Sequence, residues 1–122
     1  MRNGLSKFEA VGNLGGAVEM QTTSTGAIVA RYTVACNVFS HDRNDNLVQA
    51  CHWIPVTTYG KQAQNDIAYL GKGSEVIVHG RIESWYDKDA GKGGFNFVGE
   101  DVIYLGRPRY LTEPNPDVPG TP

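Results

Sequence analysis

The sequence lacks the features of membrane proteins and of secreted, disulfide-rich proteins. No apolar run approaches the roughly 20 residues that a membrane-spanning helix needs. No apolar segment with a cleavage site follows the first residues. The 122 residues include only two cysteines. We therefore expect a cytoplasmic protein that folds as one domain around its own core.

The two cysteines, Cys36 and Cys51, lie on neighbouring predicted strands. At a period of two, Cys36 shares a face with Tyr32 and Val34, whereas Cys51 shares the face of Trp53. Thiols on opposite faces of a sheet do not meet without a bulge. We therefore expect both cysteines to be reduced.

Positive charge is also scarce. The chain has 11 Lys and Arg against 13 Asp and Glu, a formal net charge of −2, and its sequence pI is about 5.8. Nucleic-acid-binding domains are commonly basic. Any such role here therefore requires a local track of cations.

Motifs for catalysis or metal binding are missing as well. Residues 71–74 resemble the end of a phosphate loop, but the full motif Gly-x-x-x-x-Gly-Lys-Ser/Thr is absent. They also follow a predicted helix, whereas a phosphate loop links a strand to a helix. His41 is expected in a loop, His52 on a core face and His79 on an outer strand face, without metal-ligand spacing to the cysteines. No nucleophile or carboxylate pair stands out. We expect a binding protein, not an enzyme, with no metal and no cofactor.

What the sequence has is a series of alternating strands around one short helix. The period-two pattern predicts strands over residues 7–14 (which 19–22 can continue), 27–39, 48–59, 75–85 and 95–105. Polar or glycine-rich turns are expected at residues 40–46 and 87–94. Five strands with one helix between the third and fourth predict an all-β protein, the five-stranded Greek-key barrel of the OB-fold.

The predicted faces assign the core. On the second strand, the even positions from Ile28 to Val38 are expected to point inward, and Ile54 and Val56 do so on the third. In the helix, residues 62–70, an apolar stripe is expected to pack on the barrel, with Asp66 among the polar residues opposite it. The stripe consists of Ala63, Ile67 and Leu70.

Aromatic side chains are interleaved with cations along these strands. Each base stacked on an aromatic ring contributes about 1–3 kcal/mol whatever its identity, while cations hold the phosphates. This pattern is typical of a surface for single-stranded nucleic acid, although core or subunit contact is the alternative for any single ring. The predicted stacking residues are Phe39, Trp53, Tyr59, Trp85 and Tyr86. The predicted phosphate contacts are Lys7, Arg31, Lys61, Lys72 and Arg81.

Six short blocks, in order, resemble the bacterial-type single-stranded DNA-binding protein family over about residues 5–107. The blocks are residues 11–15, 26–35, 53–56 with 59–63, 69–76, 80–82 and 100–106. In the third block, Trp53 and Tyr59 match stacking aromatics of the family and Lys61 a basic position. Lys72 matches another basic position, and either Trp85 or Tyr86 matches a further stacking aromatic, across a gap.

The resemblance implies an OB-fold domain, residues 1–106, that assembles, usually as a homotetramer of strand-mediated dimers. It implies sequence-tolerant binding and protection of single-stranded DNA in replication, recombination or repair, at the nucleoid. A close alternative is a primosomal replication protein of the same fold, a dimer that acts through a helicase. A more distant alternative is an OB-fold module for protein or sugar contacts.

Three departures from the family pattern stand out. Ser40 occupies a position where a stacking Trp is common, with Phe39 beside it. Pro55 and Glu83 occupy positions that are often basic, which predicts weaker phosphate contacts and a flatter salt dependence. Residues 107–122 form a Pro-rich tail, expected to be disordered. This tail lacks the acidic and hydrophobic tip with which cellular members of the family usually recruit replication enzymes. We therefore hypothesise an accessory form, from a phage or mobile element, that does not recruit the usual replication enzymes.

Overall fold

The computed structural model describes residues 4–106, which form a barrel of strands with one helix. The predicted tail, residues 107–122, lies outside the described residues. No helix within residues 4–106 has the length and apolar character to cross a membrane. In chain order the elements are β1 (Lys7–Leu14), β2 (Glu19–Thr22), β3 (Ile28–His41), β4 (Leu47–Tyr59), α1 (Gly60–Tyr69), β5 (Glu75–Asp87) and β6 (Lys92–Gly106).

The strands form one sheet that closes on itself. Their order is β1-β5-β6-β4-β3-β2, and β1 also pairs with β3 at Asn13 and Leu14, which joins the two ends. Strands β1 and β2 are two parts of one bent strand, since β1 pairs with β5 and β2 with β3. With β1 and β2 counted together, five strands enclose the barrel and α1 lies between the third and fourth. This is the predicted OB-fold.

The interior is lined by the faces that the period-two pattern predicts. Val34 on β3, Val56 on β4 and Val78 on β5 are fully or almost fully buried. Phe8, which packs against this core, meets Phe97 edge to face with ring centroids 5.3 Å apart. This interior holds the outer face of β3 and β4 in place.

The two hairpins are longer than the hydrophobic pattern predicts. Pairing between β3 and β4 continues to His41 and Leu47, so His41 ends a strand and the prediction of a loop there was wrong. The turn is only residues 42–46. There the Asp42 carboxylate accepts hydrogen bonds from the backbone N–H groups of Asn44 and Asn46, each 2.9 Å long, and these bonds lower the pKa of Asp42. The β5–β6 hairpin likewise extends to the pair Asp87 and Lys92.

Two residues predicted for the core lie outside it. Val38 is 44% exposed, and His52 is also exposed. Both point to the predicted side of their strands, because Cys36 pairs with His52 and Val38 with Ala50. The hairpin extends beyond the barrel at this point, and Val38 and His52 line an open cavity together with residues 8–11 of β1.

Asp66 is a further correction, because the structure buries it completely. Its carboxylate accepts hydrogen bonds from the hydroxyls of Thr58 at 2.7 Å and Tyr32 at 3.3 Å. It also accepts bonds from the Gln62 amide at 2.9 Å and from the Tyr104 hydroxyl. A buried carboxylate is tolerated when donors satisfy it in this way. Asp66 therefore fastens α1 to β3, β4 and β6.

Helix α1 follows directly from the strand that carries the aromatic residues. Gly60, its first residue, has φ of 63°, a conformation that side chains rarely adopt and that turns the chain sharply out of β4. Ala63 and Leu70 are buried and Ile67 is half-buried, as the predicted stripe requires. The sharp turn leaves Lys61 exposed beside the end of β4.

Candidate nucleic-acid interface

The outer face of β3 and β4 is the floor of an open groove with a volume of about 650 Å³. Strand pairing sets Arg31 opposite Thr57 and Thr33 opposite Pro55 on this face. Residues 15–17 of the connection from β1 to β2, together with Glu19 of β2, border the groove on one side, and residues 95–97 of β6 border it on the other. The groove thus lies where OB-folds bind oligonucleotides, on the face of their second and third strands.

Three of the predicted site residues meet in this groove. Trp53 is 59% exposed and Tyr59 is 49% exposed, and both line it. Arg31 also lines it, and its cross-strand partner Thr57 lies between the two aromatic positions on β4. The two rings are six strand residues apart, about 20 Å at 3.4 Å per residue, so they can stack separate bases of one strand while the cation between them holds a phosphate.

Phe95 is a groove residue that the sequence analysis missed. It is 67% exposed and lines the groove together with Trp53 and Tyr59. Its position depends on the parallel contact between β4 and β6, which consists of only two residue pairs, Val56 with Phe97 and Thr57 with Val98. The available signal was that Phe95 and Phe97, two residues apart, lie on one face of the strand. That spacing does not show which of the two rings is buried.

The predicted aromatic pair on the β5–β6 hairpin is divided between its two faces, because Trp85 and Tyr86 are consecutive. Tyr86 pairs with Gly93 and Ser84 with Phe95. Tyr86 and Phe95 are therefore diagonal neighbours on one face. Trp85 lies on the other face, opposite Gly94. Phe95 thus connects the groove with the Tyr86 side of the hairpin.

Phe39 is farther from the groove than the other stacking candidates. It lies on the same face of β3 as Ala35, the partner of Trp53. Phe39 is four positions along the strand from Ala35, about 14 Å at 3.4 Å per residue. Its ring is exposed near the tip of the β3–β4 hairpin, so it can be reached only by a strand that runs along that hairpin.

The predicted cations are dispersed. Lys61 follows Tyr59 at the start of α1, and Lys72 lies in the turn between α1 and β5. Lys7 pairs with Arg81 across β1 and β5, outside the lining of the groove. Only Arg31 of the predicted cations lines the groove itself.

Arg81 is engaged by two carboxylates. Its Nε donates to Glu83 over 2.9 Å and its Nη1 donates to Glu100 over 3.2 Å. These bonds, first the one to Glu83, raise the pKa of Arg81. Its charge is therefore partly compensated before any phosphate arrives.

Two groove residues oppose phosphate binding. Pro55 lies in the floor of the groove and contributes an apolar surface. It occupies a position that is often basic in the family that the sequence resembles. Glu19, also missed by the sequence analysis, lines the groove and pairs across β2 and β3 with Arg31. The groove is consequently richer in stacking surface than in positive charge. Within residues 4–106, no cluster of His, Cys, Asp or Glu side chains is arranged to hold a metal ion.

Two solved structures have the same fold. A deletion mutant of the single-stranded DNA binding protein from Thermus aquaticus aligns with a TM-score of 0.77 and 24% identity, over 86% of this chain and 52% of that one. A structure described as the Plasmodium falciparum SSB complex with ssDNA aligns with a TM-score of 0.75 and 25% identity, over 86% of this chain and 98% of that one.

The sequence is similar to bacterial proteins named single-stranded DNA-binding protein. The one from Xanthomonas axonopodis pv. citri is 32% identical over 103 residues, 84% of this chain and 56% of the relative. The one numbered 1 from Chlorobaculum tepidum is 33% identical over 110 residues, 87% of this chain and 68% of the relative. The chain thus spans a little more than half the length of the Xanthomonas protein. A model of the single-strand binding protein family matches residues 5–96, and the chain belongs to that family.

Proposed function

We propose that this protein binds single-stranded DNA with little sequence preference and without catalysis, using the groove on β3 and β4. The observation that carries the proposal is the meeting of Trp53, Tyr59 and Arg31 on one exposed face. Exposed rings in an open groove attract a ligand with flat apolar surfaces, and every base has one. The family and the named relatives support DNA as that ligand.

The proposed path of the strand follows the aromatic side chains. It runs over Trp53 and Tyr59, continues across Phe95 and Tyr86 on one face of the β5–β6 hairpin, and passes over that hairpin to Trp85 on its other face. From the Trp53 end it reaches Phe39 along the β3–β4 hairpin. Duplex DNA does not fit this mode, because its bases are already stacked on one another and their faces are unavailable. The proposed phosphate partners are Arg31, Lys61, Lys72, Lys7 and, with less weight because of its two carboxylates, Arg81.

A fluorescence titration with oligothymidylate tests the proposal. Both tryptophans of the chain lie on the proposed path, so stacking should quench their emission. We expect Trp53→Ala to weaken binding roughly 5- to 100-fold, which corresponds to the loss of one stacked base. Tyr69→Ala, the removal of an exposed ring outside the groove, serves as the matched control and should bind normally. Equal affinity for duplex, or no quenching, would refute the proposal.

We further propose that the protein acts by covering single strands during replication, recombination or repair at the nucleoid. The support is the family and the sequence-tolerant chemistry of the groove, which offers rings and one guanidinium in preference to base-specific hydrogen bonds. The test is a comparison of homopolymers. Oligothymidylate, oligocytidylate and oligoadenylate of equal length should bind within about tenfold of one another, since stacking has little sequence preference. A preference of a thousandfold or more would indicate direct reading of bases and contradict this role.

A further inference from the structure

Both tryptophans of the chain lie against a glycine of a neighbouring segment. A β-carbon built on Gly15 would come closer to Cζ3 of Trp53 than real β-carbons do, with Cε3 at 3.2 Å and Cη2 at 3.4 Å. One built on Gly94 would lie 3.0 Å from Nε1 of Trp85 and 3.1 Å from both Cε2 and Cζ2. The chain has only these two tryptophans, so the arrangement applies to all of its indoles.

These contacts differ from those of the glycines that the barrel itself requires. A β-carbon on Gly12 would collide with the carbonyl of Ala35, and one on Gly80 with the carbonyl of Val98. Those two glycines allow strands to approach each other. At Gly15 and Gly94, in contrast, all three of the nearest atoms belong to an indole. Neither of these two glycines has the positive φ that would by itself explain its presence.

The contact at Gly15 concerns the edge of the Trp53 ring. Cζ3 is the atom nearest the β-carbon position, and both of its ring neighbours are clearly farther away, so the outer edge of the six-membered ring faces Gly15. The ring nevertheless remains 59% exposed. An edge contact fixes where the ring lies while its faces stay available, which is the condition that a stacking platform needs.

We propose that Gly15 and Gly94 are positioning residues, which hold the indoles of Trp53 and Trp85 in the orientation that accepts a base. The inference rests on the proposed function and adds the reason why two backbone positions, and not only the rings, determine affinity. A methyl group at either position displaces the indole. The displacement is larger at Gly15, where the contact is closer, than at Gly94.

The test combines each glycine variant with removal of its own ring. Affinity for oligothymidylate is measured at one salt concentration for Gly15→Ala, Trp53→Ala and the double variant, with thermal unfolding to verify that each is folded. We expect Gly15→Ala to weaken binding about fivefold or more, approaching the loss in Trp53→Ala. In the Trp53→Ala background the same change should alter affinity less than twofold, because no indole remains to be displaced.

Trp85 and Gly94 allow an independent test with a smaller expected effect. Gly94→Ala should weaken binding about two- to fivefold, and this loss should disappear in the Trp85→Ala background. Gly99→Ala is the control for general destabilisation, since the three atoms nearest its β-carbon would belong to the side chains of Thr58, Val56 and Val78. It should lower the unfolding temperature and leave the affinity of the folded protein unchanged.

Emission gives a readout that a purely structural role would not change. In a Trp85→Phe background Trp53 is the only indole, and Gly15→Ala should shift its emission maximum and reduce the fraction quenched at saturation. Normal binding by Gly15→Ala while Trp53→Ala is impaired overturns the inference and leaves the proposed function intact. An equal loss with and without the indole also overturns it. Normal binding by Trp53→Ala overturns both.

Discussion

Arg31 and Arg81 have the same charge in different surroundings. Arg31 lines the groove between two exposed rings, whereas Arg81 is held by Glu83 and Glu100. A phosphate that approaches Arg81 has to compete with these two carboxylates, and exposed ion pairs of this kind are also screened by salt. From the sequence alone the two arginines were equivalent, since Glu100 is brought to Arg81 only by the pairing of β5 with β6.

The salt dependence of binding should separate the two arginines. We expect Arg31→Gln to weaken binding and to reduce the slope of log K against log salt by roughly 0.7, the value for one phosphate contact to a single strand. Arg81→Gln should reduce the slope by less. Titrations at several salt concentrations measure both slopes. Equal reductions would show that the carboxylates do not restrain Arg81.

Phe95 should matter as much as a predicted platform. Its ring is exposed and lines the groove, so Phe95→Ala is expected to weaken oligothymidylate binding about fivefold or more through lost stacking. The exposed position means that little stability should be lost. Fluorescence titration and thermal unfolding measure the two effects. Unchanged affinity would place Phe95 outside the path of the strand.

Among the elements, α1 shows most clearly what the sequence can and cannot predict. Its apolar stripe was predictable, because a period of 3.6 depends only on residues within the helix. The burial of Asp66 was not, because the hydroxyls that satisfy it belong to Tyr32, Thr58 and Tyr104 on three strands. The hairpin ends were missed for a related reason. Their backbone pairing continues where the apolar alternation has stopped.

The Asp66 contacts should give the barrel a characteristic response to alkaline pH. Burial, together with the Asp66 carboxylate, raises the pKa of Tyr32, whereas an unfolded tyrosine ionises near about 10. Above that pH the unfolded chain loses the Tyr32 proton and the folded chain keeps it. We therefore expect the free energy of unfolding to fall by up to about 1.4 kcal/mol per pH unit on account of this residue.

Urea unfolding between about pH 9 and pH 11 measures this slope around the tyrosine pKa. In Tyr32→Phe the slope should be smaller, although the variant is less stable near neutral pH because Asp66 loses a donor. The same slope in both proteins would show that Tyr32 ionises equally easily when folded and unfolded.

For the whole molecule, the edge of β1 is the feature that the barrel leaves open. β1 pairs with β3 only at Asn13 and Leu14, so the backbone of residues 7–11 has β5 as its one strand partner within residues 4–106. Val11 and Ile103 are also exposed nearby on β1 and β6. An open strand edge with apolar neighbours is suited to pairing with another chain. We propose a homo-oligomer, with the family resemblance favouring a tetramer.

Light scattering on the full chain tests the assembly. We expect a mass near four times the 13.3 kDa of one chain. A stable dimer would instead favour the primosomal alternative, and a monomer would contradict assembly through the β1 edge. Val11→Lys, which places a charge at this edge, should shift the mass towards smaller species. Its thermal unfolding provides the control for the fold.

The hairpins that project beyond the barrel extend its exposed surface but contribute little to its stability. Residues 37–53 are all exposed, so they add little to the buried interior, yet they carry Phe39 and Trp53. Each further pair of residues would lengthen a hairpin by about 3.4 Å without disturbing the core. A change in hairpin length alone would therefore lengthen or shorten the proposed path of the DNA strand. The barrel supplies the buried interior of the molecule, and the hairpins set how far its exposed aromatic surface extends.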